Sequence, residues 1–426
     1  MNLLFCCSHV ERNRLFRPTF IAILVFGVLQ ASIGRAQTTV IPSAHVSGYY
    51  DTNIWLRPAG FLPAGTRLDD FVTSVGGAVQ LLHETRDFDA RVKIGGDFNS
   101  YVETTGLNYF RATVNGTIGL DRWVDQYVRG AKLRITENFR YTPQTPGFVT
   151  GVREPISQDP TFFSGLQAFR ANTFTNTTSA TGSYPISRDL ALEGGYTFGI
   201  RRFGTILGGE GGTGGSNASF FNTTTNTWFG GPRYQLSRND SIAVLYRQSF
   251  ILQSRSNGGR SFSTNLITLA GNYEKKFQEW SLSAEAGVTF VEPAGGAFPT
   301  GSLSASTEIE RDTVVRLTLS RQARPSVFLV GGAVLSNVAQ AGISHRIYER
   351  LILDADAAFG YSQFFPDTAN TTFQNFTGST RLTYKLTRDI SAEISYAFNS
   401  VKSDTTAVAY QFSRHVVGFF LNAEWK

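Results

Sequence analysis

The 426-residue sequence predicts an all-β fold, namely a transmembrane antiparallel β-barrel of about 18 strands. Three observations predict it. Polar and apolar residues alternate along many segments, polar turns with a basic residue recur along the chain, and aromatic residues stand near the ends of the apolar faces. Together they are typical of outer-membrane barrels, whose strands present alternate residues to lipid and to the lumen.

The alternation is clearest in residues 85–101, TRDFDARVKIGGDFNSY. Even positions from Phe88 to Phe98 are apolar or small, whereas odd positions from Asp89 to Asn99 are polar, charged or glycine. A strict period of two predicts a strand with two unlike faces. The same pattern occurs in SRDLALEGGYTFGI (187–200), WSLSAEAGVTF (280–290) and TRDISAEISYAFNS (387–400). We expect the apolar face to contact lipid and the charged face to line the lumen.

Short polar turns separate pairs of these segments, and each turn carries a basic residue: Arg86, Arg122, Arg188, Arg238, Lys275, Arg311, Arg350 and Arg388. Longer linkers rich in Gly, Pro, Asn and Thr lie between the turns. This order indicates successive β-hairpins with short periplasmic turns and long extracellular loops. The count on this plan is about 18 strands; about 16 remains open, because residues 171–184 and 224–234 alternate poorly.

The first residues predict secretion. Arg12, Arg14 and Arg17 precede an apolar run over residues 20–31, and Gly34 and Ala36 offer small residues for cleavage. The run is shorter than the roughly 20 residues that span a bilayer. We therefore expect residues 1–36 to be a signal peptide and residues 37–426 to form an outer-membrane β-barrel. Both cysteines lie before the run, so the mature chain has no disulfide and no thiolate metal site.

Aromatic residues mark the expected membrane interfaces: Tyr127, Tyr234, Tyr246, Trp280, Tyr384, Tyr396 and Trp425. A secreted β-sandwich or β-helix, the soluble alternative, would leave this belt unexplained. The final stretch RHVVGFFLNAEWK (414–426) alternates like a last barrel strand and resembles the assembly signal of outer-membrane proteins. We expect the barrel-assembly machinery to recognise it, and outer-membrane lipid to surround the folded barrel in the bacterial outer membrane.

A family resemblance rests on SGYYDTNIW (47–55), a Pro/Gly linker, and the stretch 69–101. Together these resemble bacterial β-barrel porins of the second type, in which a Tyr-Asp-x-Asn motif ends the first strand and an Arg-containing turn follows the second. Tyr50, Asp51 and Asn53 fill the motif, and Arg86 fills the turn. The resemblance implies a porin-like barrel of a kind often encoded near exopolysaccharide-production genes. It implies no catalytic residues and defines no substrate.

The sequence does not predict an enzyme. The Gly-rich stretch 207–217 lacks the Lys-Ser/Thr ending of a phosphate loop. Ser344 and His345 are neighbours on a predicted strand, so they point to opposite faces and cannot form a catalytic pair. We expect no cofactor, no metal and no nucleic-acid partner. The first strand also begins too close to the predicted cleavage site to leave room for the plug of a TonB-dependent transporter.

Two functions from different classes remain. The first is a porin-like channel for polar solutes or saccharides, with a role in exopolysaccharide export; the second is a closed structural or surface-binding barrel without channel activity. Residues 142–167 form the longest linker, the third extracellular loop, which either folds into the lumen or stands in solvent. If it folds inward, its acidic residues face a basic wall and form a constriction, so the candidate lumen residues are Arg91, Lys93, Lys132, Arg134, Arg140, Glu154 and Asp159.

Overall fold

The computed structural model describes most of the chain from residue 37 to residue 425. Residues 1–36, 57–59, 61, 63, 144–170, 207–220, 256–260, 294, 311, 326–332, 366–371, 404–409 and 426 lie outside the described part. The predicted signal peptide therefore falls outside it, and so does most of the predicted third loop.

Eighteen β-strands make up almost all of the described structure. They are β1 (Gln37–Asp51), β2 (Asp70–Glu84), β3 (Asp89–Tyr101), β4 (Tyr109–Gly119), β5 (Lys132–Thr142), β6 (Ala171–Pro185), β7 (Leu190–Ile206), β8 (Phe221–Gln235), β9 (Asp240–Arg255), β10 (Ser261–Lys276), β11 (Trp280–Glu292), β12 (Ala297–Ile309), β13 (Thr313–Pro325), β14 (Ala333–Tyr348), β15 (Leu351–Phe365), β16 (Thr372–Lys385), β17 (Ile390–Ser403) and β18 (Tyr410–Glu424). No helix among the described residues is long and apolar enough to cross a membrane.

The strands form one closed antiparallel barrel. Each strand pairs with its neighbours in sequence, and β1 also pairs with β18, from Ser43 opposite Glu424 to Asp51 opposite Val416. Closure removes every free sheet edge. The predicted count of 18 is confirmed, and β6 and β8, which alternate poorly, are full strands. In β6 the period is weak because polar residues occupy both faces, such as Asn176 and Thr178 on the outward face and Thr177 on the inward face.

One end of the barrel, here called the turn end, carries the short connections that the sequence predicts. Two of its connections differ from the prediction. Residues 120–131 are a longer segment that contains the helix Asp121–Asp125. The Asp121 carboxylate accepts a hydrogen bond from the backbone N–H of Leu133, and the Asp125 carboxylate accepts one from the backbone N–H of Gly130. Tyr127 accordingly lies in this segment and not on a strand. Lys275 lies within β10, and the turn that follows it is 277–279.

The opposite end, here called the loop end, is less uniform than expected. The connections 52–69, 143–170 and 207–220 are long, whereas 293–296, 366–371 and 404–409 are about as short as the turns. The three long connections contain the linkers that the sequence indicates as long loops, whereas the connections of the second half of the chain are shorter than this plan predicts.

The two faces of each strand differ as the alternation predicts. On β3, Ile94 and Phe98 are 47% and 51% exposed on the outer surface, whereas Asp97 and Asn99 are buried on the inner surface. Large exposed aromatic side chains ring the turn end: Tyr184, Tyr234, Trp280, Tyr384 and Trp425. An apolar outer surface with interfacial aromatic residues is suited to a bilayer, where lipid covers it.

Candidate functional site: the barrel lumen

Hydroxyl groups line one side of the lumen. We call them the hydroxyl wall: the inward Ser and Thr residues of β6, Thr197 of β7, and Thr223, Thr225 and Thr227 of β8. Every second residue of β6 is Ser or Thr and shares the inward face with the lumen residues of β5: Thr173, Thr175, Thr177, Ser179, Thr181 and Ser183. The hydroxyls of Ser179 and Thr197 lie 2.9 Å apart, and Thr227 lies 2.8 Å from Ser249 of β9. Each hydroxyl can donate and accept, so this wall offers neutral hydrogen-bonding groups to a polar solute.

Basic side chains stand beside this wall. Arg91 and Lys93 lie on the inward face of β3, and Lys132 and Arg134 on the inward face of β5, all nearer the turn end and all exposed. None of these four makes an ion pair with another described residue. The predicted lumen residue Arg140 lies higher on β5 and is half-buried. These strands therefore place four positive charges in the lumen that no described residue neutralises through an ion pair.

Several other charges on the inner surface of the barrel are paired. Arg233 of β8 lies 2.5 Å from Glu193 and 2.9 Å from Glu274, and Arg381 lies 3.0 Å from Glu393. Local pairing cancels much of the field that these groups exert at a distance, whereas the four cations of β3 and β5 form no ion pair among the described residues. The predicted acidic partners Glu154 and Asp159 lie outside the described residues, so their position relative to these cations stays a prediction.

The first loop enters the lumen. We call residues 52–56 and 64–69 the inward loop. Its Ile54 is fully buried and packs in one cluster with Tyr49, Val72 and Val416, all on the inward faces of strands next to the β1–β18 pairing. Leu56 is buried in a second cluster of inward residues: Ala358, Val401 and Phe412, with Val338 and Phe373 against it. This loop therefore fills part of the lumen on the side of β14–β18 and β1–β4.

A buried ion pair lies at the start of the inward loop. Both carboxylate oxygens of Asp51 accept hydrogen bonds from the Arg414 guanidinium, at 2.8 and 2.6 Å, and the two side chains are 0% and 3% exposed. Asp51 also accepts a hydrogen bond from the backbone N–H of Asn53, whose side-chain amide donates to the carbonyl of Ser413. The Tyr-Asp-x-Asn motif thus joins the end of β1 to β18 and turns the chain inward.

A second polar network supports the same side of the lumen. Arg111 of β4 donates to Asp97 of β3 at 2.6 Å, and Asp97 also accepts from Asn99, which in turn accepts a 3.4 Å hydrogen bond from the Tyr49 hydroxyl. Each of these four side chains is nearly fully buried. Because each buried polar group has a partner, the network fixes the wall against which Ile54 packs.

Sequence reasoning found only part of this site. It identified Asp51 and Asn53 by resemblance but assigned them no role, and it missed Arg414, Ile54 and Leu56. The apolar triplet Ile54-Trp55-Leu56 inside an otherwise polar predicted loop was the available signal. Its reasoning on Ser344 and His345 is confirmed, because Ser344 faces Asp354 on the inner surface, whereas His345 meets Thr313 on the other face. Within the described residues no group of His, Asp or Glu could hold a metal ion.

A closed antiparallel barrel with an apolar, aromatic-ringed outer surface and a polar lumen defines a class, the porin-like outer-membrane β-barrels. Residues 304–423, from β12 to β18, match the family model described as "Putative beta-barrel porin 2". The match lies at the other end of the chain from the motif at Asp51 and agrees with the porin resemblance that the motif indicates; together with the fold it indicates an outer-membrane protein.

Distant likenesses to solved structures are also found. The chain is similar to OpdQ of Pseudomonas aeruginosa, with 10% identity, a TM-score of 0.45, and coverage of 91% of this chain and 97% of that chain. For the outer membrane protein opdK of the same organism the values are 11%, 0.44, 91% and 99%. For OccAB4 of Acinetobacter baumannii they are 9%, 0.44, 91% and 99%. None of the curated proteins matches the chain.

Proposed function

We propose that this protein is an outer-membrane channel through which polar solutes, saccharides among them, pass along the hydroxyl wall. The hydroxyl wall is the observation that carries the proposal. The inward residues of β6 are without exception Ser or Thr from Thr173 to Ser183. Thr197 of β7 and three inward threonines of β8 extend the hydroxyl surface: Thr223, Thr225 and Thr227. A sugar exchanges its hydrogen bonds with water for hydrogen bonds with such a wall at little cost, because each hydroxyl both donates and accepts.

The charges beside the wall give the proposed channel a preference. Arg91, Lys93, Lys132 and Arg134 have no acidic partner among the described residues, so they raise the local concentration of anions. We therefore assign selectivity for anionic over cationic solutes to these residues, with Arg140 above them. Glu154 and Asp159 would modulate it if the third loop folds inward and opposes the basic wall.

A role in exopolysaccharide export is the finer part of the proposal. Two observations support it: the resemblance to porins that are often encoded near exopolysaccharide-production genes, and the neutral hydroxyl wall, which suits a chain of sugars. The barrel-assembly machinery is the proposed partner during folding, through alternate apolar residues of β18 such as Phe419 and Leu421, which are exposed on the outer surface.

Conductance and solute flux test the channel. The purified protein is inserted into planar bilayers, and its reversal potential is measured in a KCl gradient. Liposome swelling is measured with neutral monosaccharides, short oligosaccharides and uronic acids. We expect stable conductance, anion preference and faster swelling with the uronic acids than with neutral sugars of equal size. Absence of both conductance and swelling would support the second candidate, a closed structural or surface-binding barrel.

A further inference from the structure

We propose that the inward loop is the constriction of the channel and that the buried Asp51–Arg414 ion pair holds it in place. This inference rests on the proposed channel function. The contacts of the described residues assign the narrowing of the pore to the first loop. The Tyr-Asp-x-Asn motif then has the role of anchoring that loop.

Burial makes the ion pair a strong determinant of loop position. The Asp51 carboxylate and the Arg414 guanidinium are almost completely removed from water and satisfy each other through two hydrogen bonds. Removing one partner of such a pair leaves a buried charge uncompensated, which is far costlier than losing an exposed pair. The inward conformation therefore depends on both residues.

Backbone contacts transmit this anchoring to the loop. Thr52 donates its N–H to the carbonyl of His415 at 3.0 Å and receives the N–H of His415 on its hydroxyl at 2.8 Å. Ile54 donates to the carbonyl of Leu68 at 2.9 Å, and the Trp55 indole donates to the carbonyl of Arg67 at 2.8 Å. The outgoing and returning parts of the loop are thereby joined to each other and to β18.

Apolar packing holds the tip against the wall. Ile54 and Leu56 bury their side chains in the two clusters of inward residues, which offer Val72 and Val401 where the hydroxyl wall offers threonines. Burying an Ile or Leu side chain removes apolar surface from water and so stabilises the packed position. A loop fixed in this way occupies lumen cross-section permanently and leaves the path along the hydroxyl wall.

The ion pair is not needed to close the barrel. Nine register pairs already join β1 to β18, from Ser43 opposite Glu424 to Asp51 opposite Val416. The Arg381–Glu393 pair of β16 and β17 provides a matched control, because Glu393 is also buried, 5% exposed, and its ion pair joins two neighbouring strands of the wall. Loss of the Asp51–Arg414 pair should move the loop, whereas loss of the control pair should not.

The test compares three variants: Asp51→Asn, the double variant Ile54→Ser/Leu56→Ser and the control Glu393→Gln. Each variant is first checked for the heat-modifiable gel shift of a folded barrel, and two readouts follow. The first readout is single-channel conductance. Because the loop lies against about half of the strands of an 18-strand lumen, we expect conductance to rise about twofold in the first two variants and to stay unchanged in the control.

The second readout does not depend on conduction. The predicted mature chain has no cysteine, so Leu56→Cys is a clean probe for a membrane-impermeant thiol reagent. We expect slow labelling in the parent and at least about tenfold faster labelling when Asp51→Asn is added, because release exposes a buried position. If the parent protein shows no conductance but the labelling follows this pattern, the channel function is refuted, whereas the anchoring of the loop by the ion pair is supported. Normal parent conductance that none of the folded variants changes would overturn the inference, as would equal labelling rates.

Discussion

Two sides of the lumen share the same alternation of polar and apolar residues but differ in how deeply their inward residues are buried. Beside the β1–β18 pairing, inward residues such as Val72, Val401 and Phe412 are buried under the inward loop. On the hydroxyl wall most described inward residues are only half-buried, and the buried ones, such as Thr173 and Thr223, lie near the loop end. The period of two therefore tells which residues face inward, but not whether the inside is filled.

The chemistry of the inward residues decides between the two outcomes. An apolar inward face gains free energy when Ile54 or Leu56 covers it, because apolar surface leaves water. A face of threonines gains little, because its hydroxyls already exchange hydrogen bonds with one another and with water. We therefore expect the first loop to pack on one side only, and the solute path to lie on the other.

The sharpest way to break this comparison is to place the same charge on both inward faces. Val401→Arg should destabilise the barrel by several kcal/mol, because it buries an unpaired cation in a packed cluster. Thr177→Arg should cost far less, because its side chain can extend into a solvated lumen. The free energy of unfolding in urea, measured in lipid vesicles, compares the two. Equal costs would mean that the two sides are equally packed.

A smaller effect should follow when the packing is reduced without adding a charge. Leu56→Ala should cost about 2–5 kcal/mol, the usual range for a buried leucine. Thr177→Ala removes a half-buried hydroxyl and should stay within about 0.5 kcal/mol of the parent. The same urea titrations measure both. A Leu56→Ala value as small as that of Thr177→Ala would show that the loop does not pack in solution as it does here.

Sequence alone predicts the barrel well because each strand repeats one local rule. Alternation in stretches such as 88–98 predicts the inward and outward faces, and the spacing of the turns predicts about 18 strands, with about 16 left open. The rule weakens in β6, where the outward Thr178 donates a 2.5 Å hydrogen bond to Glu137 of β5. Polar groups on the lipid face satisfy each other there, and a pattern read along one strand does not show a partner on the next.

The lumen is harder to predict because its contacts join distant parts of the chain. Asp51 and Arg414 are 363 residues apart in sequence, and nothing in the local pattern at either position indicates the other. The same holds for Leu56 and Val401. Local alternation places Arg91 and Lys93 on the inward face, yet it cannot show that they form no ion pair among the described residues, whereas Arg233 forms two.

The smallest expected effect concerns the free cations between the two sides. Arg134→Glu reverses one exposed charge that no described acidic residue neutralises, so the permeability ratio of potassium to chloride should rise several-fold in 0.1 M salt. Screening shortens the reach of a charge from about 10 Å at 0.1 M to about 3 Å at 1 M ionic strength, so the shift should shrink in 1 M salt. Arg188→Glu makes the same charge change in an exposed turn outside the wall and serves as the control. Reversal potentials in salt gradients measure both variants, with barrel folding verified by the gel shift. A shift equal to that of Arg188→Glu would mean that solutes do not pass close to β5, and the path would then have to be sought nearer the inward loop.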